Sequence, residues 1–206
     1  MPETKVGLYD LDDFERLMTG GPLAVFLKGH LWLETVLNDF LEAAAQDAKP
    51  LKQMGFAAKV NVCEAFGLVP PPLCKAFREI NRRRNLLAHE LHASFGDDSL
   101  AEMLAHSAPQ SRASYEAMLN HLPGDMDSPE GRLTFWYFAV IMDAGYSLLL
   151  RRWHDEHQSE HAAFAAIRLI EEKLGGRIRS DEEVRKEVNL PDPPDPRDVW
   201  YRGNRG

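Results

Sequence analysis

The amino-acid sequence predicts an all-α protein, and three observations predict it. Helix formers (Ala, Leu, Glu, Arg) dominate a chain of 206 residues, 44% hydrophobic and 27% charged, an ordinary balance for a folded domain with a full core. Long stretches repeat their apolar residues at three and four positions and lack the period-two alternation of half-buried strands. Most Gly and Pro residues fall between those stretches, although Gly29 and Gly145 lie inside them.

The elements follow in order. Leu11 to Met18 is expected to form a short helix closed by Gly20-Gly21. Pro22 opens the next, running to about Gln46, with Phe26, Trp32, Leu33, Val36, Leu37, Phe40 and Leu41 as its apolar stripe. A helix from about Met54 to Phe66 ends at Gly67 as a C′ residue. Pro70-Pro71-Pro72 starts a third core helix through Phe77, Ile80 and His89 to about Leu91. Ser99 with Glu102 has capping-box spacing and predicts a short helix to about His106. Another spans roughly Gln110 to His121, followed by a turn at Pro123-Gly124-Asp125. Ser128 caps a long helix beginning at Pro129 and continuing to about Gln158. An amphipathic helix from about Ala162 to Leu174 ends at Gly175-Gly176. Beyond it the character changes. Ser180 with Glu183 caps one short polar helix, and Pro191-Asp192-Pro193-Pro194-Asp195-Pro196 is too rich in Pro to join a core by itself. The expected organisation is a helical domain over 1–175 and an extended polar, Pro-rich tail over 176–206, with Trp200 and Tyr201 pinning the tail to the body or to a partner. No internal repeat and no Gly-rich phosphate loop is present.

Composition also narrows the function. A net charge of −8 argues against a nonspecific nucleic-acid coat but leaves room for a small basic site. Cys63 and Cys74, the two cysteines, sit in apolar helical stretches and make neither a disulfide framework nor a zinc pattern. The first residues lack a basic region followed by an apolar run, so the expected location is the cytoplasm. Leu133 to Leu150 is apolar enough to suggest a membrane span. Asp143 interrupts it at a cost of about 2.5–3.5 kcal/mol on insertion scales, and the central helix of a bundle accounts for it equally well. The expectation is a core helix and no membrane.

The chemistry gathers on the third core helix. It carries Lys75, Arg78, Arg82, Arg83 and Arg84, with only Glu79 opposing them before His89. At about 100° per residue, Arg78, Arg82, Asn85 and His89 share one face, while Leu73, Phe77, Ile80, Leu87 and Leu91 supply the buried side. Guanidinium groups hold phosphate through paired charge-assisted hydrogen bonds. An imidazole that titrates near neutrality can take the proton of a ribose 2′-hydroxyl or give one to a 5′-oxygen, and arginine offsets the charge building on phosphorus. This route requires no metal or other cofactor and ends in a 2′,3′-cyclic phosphate.

The segment Arg84-Asn85-Leu86-Leu87-Ala88-His89 resembles the signature of the HEPN superfamily, an Arg, often a polar residue next, then a His after four to six others. Gly29-His30-Leu31-Trp32-Leu33-Glu34, Leu37-Asn38-Asp39-Phe40-Leu41, Phe56-Ala57-Ala58-Lys59-Val60 and Ala65-Phe66-Gly67-Leu68 precede it in an order similar to the mannitol operon repressor-like branch, over roughly residues 22 to 155. The resemblance implies an up-and-down helical bundle that dimerises and brings two Arg–His helices into one cleft. It also implies a metal-independent endoribonuclease of toxin–antitoxin or anti-phage type, restrained by an antitoxin or regulatory protein. His89 would be the general acid/base, Arg84 the phosphate binder, Asn85 the orienter, with Arg78, Arg82 and Arg83 gripping flanking RNA phosphates. Two alternatives stay open: a catalytically silent HEPN-like regulator or protein-interaction module, and a scaffold subunit whose tail docks a partner. No basic recognition helix supports direct DNA reading.

Other residues carry less. His154, His157 and His161 share one helical face beside Asp155, Glu156 and Glu160, but a solvated helix end explains them without a metal. His92 is a bystander or an assistant to His89. Glu34 would orient Arg84 or His89, or else be a solvated charge, and Asp39 is read the same way. Trp32, Trp136 and Tyr137 are expected in the core or an interface. Within a straight helix Arg84 and His89 point about 140° apart, so the pair needs a distorted helix or a second subunit to form one site.

Overall fold

The computed structural model describes residues 8–89, 97–120, 127–174 and 179–201. Its described residues are almost wholly helical: α1 (Leu11–Leu17), α2 (Pro22–Ala44), α3 (Lys49–Lys52), α4 (Phe56–Ala65), α5 (Pro71–His89), α6 (Asp97–Ala105), α7 (Pro109–Leu119), α8 (Pro129–Glu156), α9 (Gln158–Leu174) and α10 (Asp181–Glu187). Two short strands, β1 (Tyr9–Asp10) and β2 (Trp200–Tyr201), pair in parallel. The all-α expectation holds.

The helix ends follow local chemistry. Asp10 accepts from the backbone N–H groups of Asp12 and Asp13 and caps α1. After α4 the chain turns through Gly67 at φ +60°. Leu68 N–H donates to the Cys63 carbonyl and Gly67 N–H to that of Glu64, so the last carbonyls are satisfied by a Schellman closure. Ser128 Oγ accepts from Gly131 N–H ahead of Pro129, and Ser180 with Glu183 forms the full capping box of α10. The cap expected at Ser99 is not there. The helix is already formed at Asp97, so Ser99 lies inside it rather than ahead of it. Likewise α9 begins at Gln158 rather than Ala162, directly after the end of α8. The turn expected at Pro123 and the stop at Gly175-Gly176 lie outside the described residues, as does Leu91.

The chain divides into two compact units, 1–148 with 196–206, and 149–195, a different partition from a body over 1–175 and a tail. In the first unit, α2, α4, α5 and α8 carry the core. Val25, Phe26, Leu33, Val36, Leu37, Phe40, Val60, Phe77, Ile80, Val140, Ile141 and Leu148 are fully buried. Among the described residues α8 is the one helix long and apolar enough to cross a membrane, but its Leu133, Trp136, Tyr137, Val140, Ile141 and Ala144 are buried against protein. Its Asp143 accepts from Ser111 Oγ at 2.6 Å, and burial raises the carboxyl pKa. Trp136 and Tyr137 are core residues, as expected. Gly29 lets α2 approach α8: a Cβ there would stand well inside contact distance of the Tyr137 ring, whose hydroxyl donates to the Phe26 carbonyl at 3.0 Å.

The C-terminal segment is not extended throughout. Pro196–Val199 forms a turn of 3₁₀ helix with Val199 fully buried. Trp200 stacks on Phe138 with ring centroids 4.9 Å apart and planes 9° apart, and meets Phe14, Trp32 and Tyr9 at 5.1, 6.1 and 5.8 Å. The Pro-rich stretch thus carries the chain back to an aromatic cluster on its own first unit. In the second unit, α10 contributes buried Val184, followed by buried Leu190.

Candidate functional site

Helix α5 is continuous from Pro71 to His89, and its two halves differ. Leu73, Cys74, Ala76, Phe77 and Ile80 are buried, whereas Arg82, Arg84, Asn85, Leu86, Ala88 and His89 are exposed. The continuity means that Arg84 and His89 leave the helix about 140° apart, and no distortion brings them onto one face.

Most of the expected phosphate grip is already engaged. Arg78 is held by both oxygens of Glu64 on α4 and by Asn61 Oδ1 at 3.0 Å. Arg82 donates twice to Glu79 at 2.7 and 2.6 Å, and Arg83 pairs with Glu79 and with Glu102 of α6. These hydrogen bonds hold the Glu64 and Glu79 carboxyls below the usual range, chiefly through Arg78 and Arg82 respectively. Arg84 differs: among the described residues its side chain meets no carboxylate, and its one polar contact is a 3.3 Å bond to Asn85 Oδ1.

A polar cluster lies where α2, α4 and α5 meet. His30, 6% exposed, stacks on Phe56 with centroids 4.3 Å apart. Burial is the main reason its pKa falls below the ordinary 6.5, followed by Asn81 acting upward, Arg84 downward and Glu34 upward. His30 Nε2 is buried with no hydrogen-bond partner. One turn along α2, Glu34 accepts from Lys59 at 2.6 Å, with the lysine side chain 3% and the glutamate 30% exposed. Glu34 therefore serves neither Arg84 nor His89 directly. It neutralises an ammonium that the α4 packing has taken out of water. Asp39 accepts from Tyr9 Oη at 3.1 Å and anchors β1. His30 and Lys59 escaped the sequence reading although the period exposes both: each occupies a position of the buried stripe of its helix.

The other candidates sort as follows. The rings of His154 and His161 approach to 4.2 Å beside Trp153. No group of three His, Cys, Asp or Glu suited to a metal ion occurs among the described residues. His92 lies outside the described residues. Cys63 and Cys74 are buried, and burial pushes their thiols up to about 12 and about 11, so neither is a ready nucleophile. A cavity of about 650 Å³ opens among Phe14, Met18, Phe135 and Phe138, remote in sequence from the charged helix.

Comparison with protein-family models, curated proteins and solved structures finds no match for this chain. The functional reading therefore stands on the residues and their geometry.

Proposed function

We propose that the protein is a metal-independent endoribonuclease of HEPN type, of the kind found among toxins and anti-phage effectors. The observation that carries the proposal is Arg84. It is the one arginine of the α5 cluster without a carboxylate among the described residues, and it stands on the exposed half of a helix that ends in His89. A guanidinium without an anionic partner is the group that receives a phosphate. His89 takes the 2′-hydroxyl proton and returns one to the leaving 5′-oxygen. Asn85, bonded to Arg84, orients it. Because Arg84 and His89 diverge on one helix, the cleft is completed by a second copy. Leu86, 44% exposed between them, and the exposed row Leu23, Leu27 and Leu31 on α2 supply apolar surface for that contact. Arg78 and Arg83 then act less as phosphate clamps than as struts fixing α5 to α4 and α6, while Arg82 is held by Glu79 within α5.

Cellular RNA incubated with purified protein in the presence of a chelator tests this. The expected result is cleavage leaving 2′,3′-cyclic phosphate ends, abolished in His89→Ala and Arg84→Ala proteins that retain wild-type helicity. Equal behaviour of wild type and His89→Ala overturns it. The engagement of three arginines by carboxylates favours a second reading, a silent HEPN-like module that regulates through protein contacts, in which case α5 substitutions change partner capture and leave RNA intact.

A further inference from the structure

The cavity between α1 and the start of α8 holds about 650 Å³, a volume within the range of sites that take small organic molecules. Two helical faces enclose it. Leu11, Phe14 and Met18 recur at spacings of three and four along α1 and its C-cap, with Glu15 beside Phe14. Glu130, Thr134 and Phe138 follow at spacings of four on α8, with Gly131 and Phe135 next to them. The small residues Gly131 and Thr134 leave space that a larger side chain would fill.

The walls are graded from apolar to acidic. Phe14 and Met18 are buried and make the floor. Phe135 and Phe138 are half-buried, while Glu15 and Thr19 are exposed at the mouth. Phe138 meets Phe14 at 5.7 Å and is backed by Trp200, stacked on it at 4.9 Å.

The polar groups of the lining select a charge. Among the described residues no Lys, Arg or His lines the cavity. The Ser128 hydroxyl is taken by Gly131 N–H, and that of Thr134 by the Glu130 carbonyl. The cations nearby are engaged: Arg132 pairs with Asp127, and Lys28 donates to the Thr19 carbonyl at 2.7 Å. The half-buried Glu130 carboxylate meets no cation among the described residues. Aromatic ring faces are themselves attractive to positive charge. An anion would find acceptors here and no charged donor.

We propose that this cavity binds a small organic cation, an ammonium group carried on an aromatic body. The body lies against Phe14, Phe135 and Phe138, and the ammonium pairs with Glu130 at the mouth. The site stands apart from the ribonuclease reading and survives if that reading fails. Trp200 is its built-in reporter, because its Nε1 is buried without a hydrogen-bond partner and its ring lies on Phe138.

The test uses the full chain and three probes of one shape: 4-phenylbutylamine, 4-phenylbutanol and 4-phenylbutyrate. Binding is followed by the indole ¹⁵N–¹H signals, with Trp200 assigned from Trp200→Phe. The amine is expected to move the Trp200 signal saturably, the alcohol to bind about tenfold more weakly, and the acid more weakly still, since the charged pair adds about one decade of affinity. Glu130→Gln brings the amine down to the level of the alcohol and leaves the alcohol unchanged. Thr134→Phe, which fills the space, abolishes binding of all three while retaining wild-type helicity. No saturable shift with the amine up to about 10 mM, where so small a ligand should bind, overturns the proposal. So does an acid or alcohol that binds as tightly as the amine, or an amine affinity unchanged in Glu130→Gln. If a Thr134→Phe protein fails to fold, the Glu130→Gln comparison still decides.

Discussion

The two halves of α5 are one helix under two regimes. Between Leu73 and Ile80, Leu73, Cys74, Ala76, Phe77 and Ile80 are buried, and at those positions the substitutions that matter are those that change volume. From Arg82 to His89 the helix is mostly exposed, with Arg83 and Leu87 half-buried, and its polar side chains answer to charge. Asn81, half-buried, sits at the join. A helix half that contributes little to the core is free to carry residues chosen for chemistry, because altering them leaves the core intact.

The contrast can be broken most forcefully in the buried half. Phe77→Ala is expected to cost about 3–5 kcal/mol in denaturant unfolding, since it removes a fully buried ring that faces Phe56 and the site cannot collapse to fill it. A cost near zero would mean that α5 is not anchored as described. Next comes the charge taken into the core. Glu34→Ala strands the Lys59 ammonium and is expected to cost about 3 kcal/mol, whereas Glu34→Leu combined with Lys59→Met comes close to wild type in the same melts.

At the join, pH is the lever. The fold holds the His30 pKa below its ordinary 6.5, mainly by burial. The unfolded chain therefore takes up this proton more readily than the folded one. The stabilisation is complete above pH 6.5 and is lost as pH falls through the lower folded value. His30→Phe should flatten that limb of the stability–pH curve, and an unchanged limb would remove His30 from the account. The smallest effects belong to the exposed half: Arg84→Ala and His89→Ala should each shift stability by no more than about 0.5 kcal/mol while abolishing RNA cleavage. A large loss of stability in either would place it in the architecture rather than the chemistry.

What could be read beforehand follows the same boundary. Ser128, Pro129, Ser180, Glu183 and Gly67 act within a few residues of themselves, and their roles were legible from local spacing. Ser99 carried the same spacing without the role, because the chain is already helical at Asp97. The cationic stripe was legible as composition, but its neutralisation was only half so. Glu79 lies within one turn of Arg82 and Arg83, while Glu64 and Glu102 arrive from other helices. His30 and Lys59 were hidden by residue type: a pattern that sorts by polarity sets them on the surface, and only the helical period assigns them inside. Nothing in its own segment buries Trp200, and its partners Phe14, Trp32 and Phe138 come from three distant places in the chain.

That return of Trp200 bears on how the molecule is made. Tyr9 pairs with Trp200, and the first compact unit is interrupted by the whole of the second. During synthesis the aromatic cluster around Phe14 and Trp32 must wait, exposed, until the ribosome has passed through α9 and α10. Contacts of such long sequence separation form late and slowly. Nascent chains arrested before Val199 would carry an unfilled aromatic groove, which makes that stage the one at which a chaperone has most to bind.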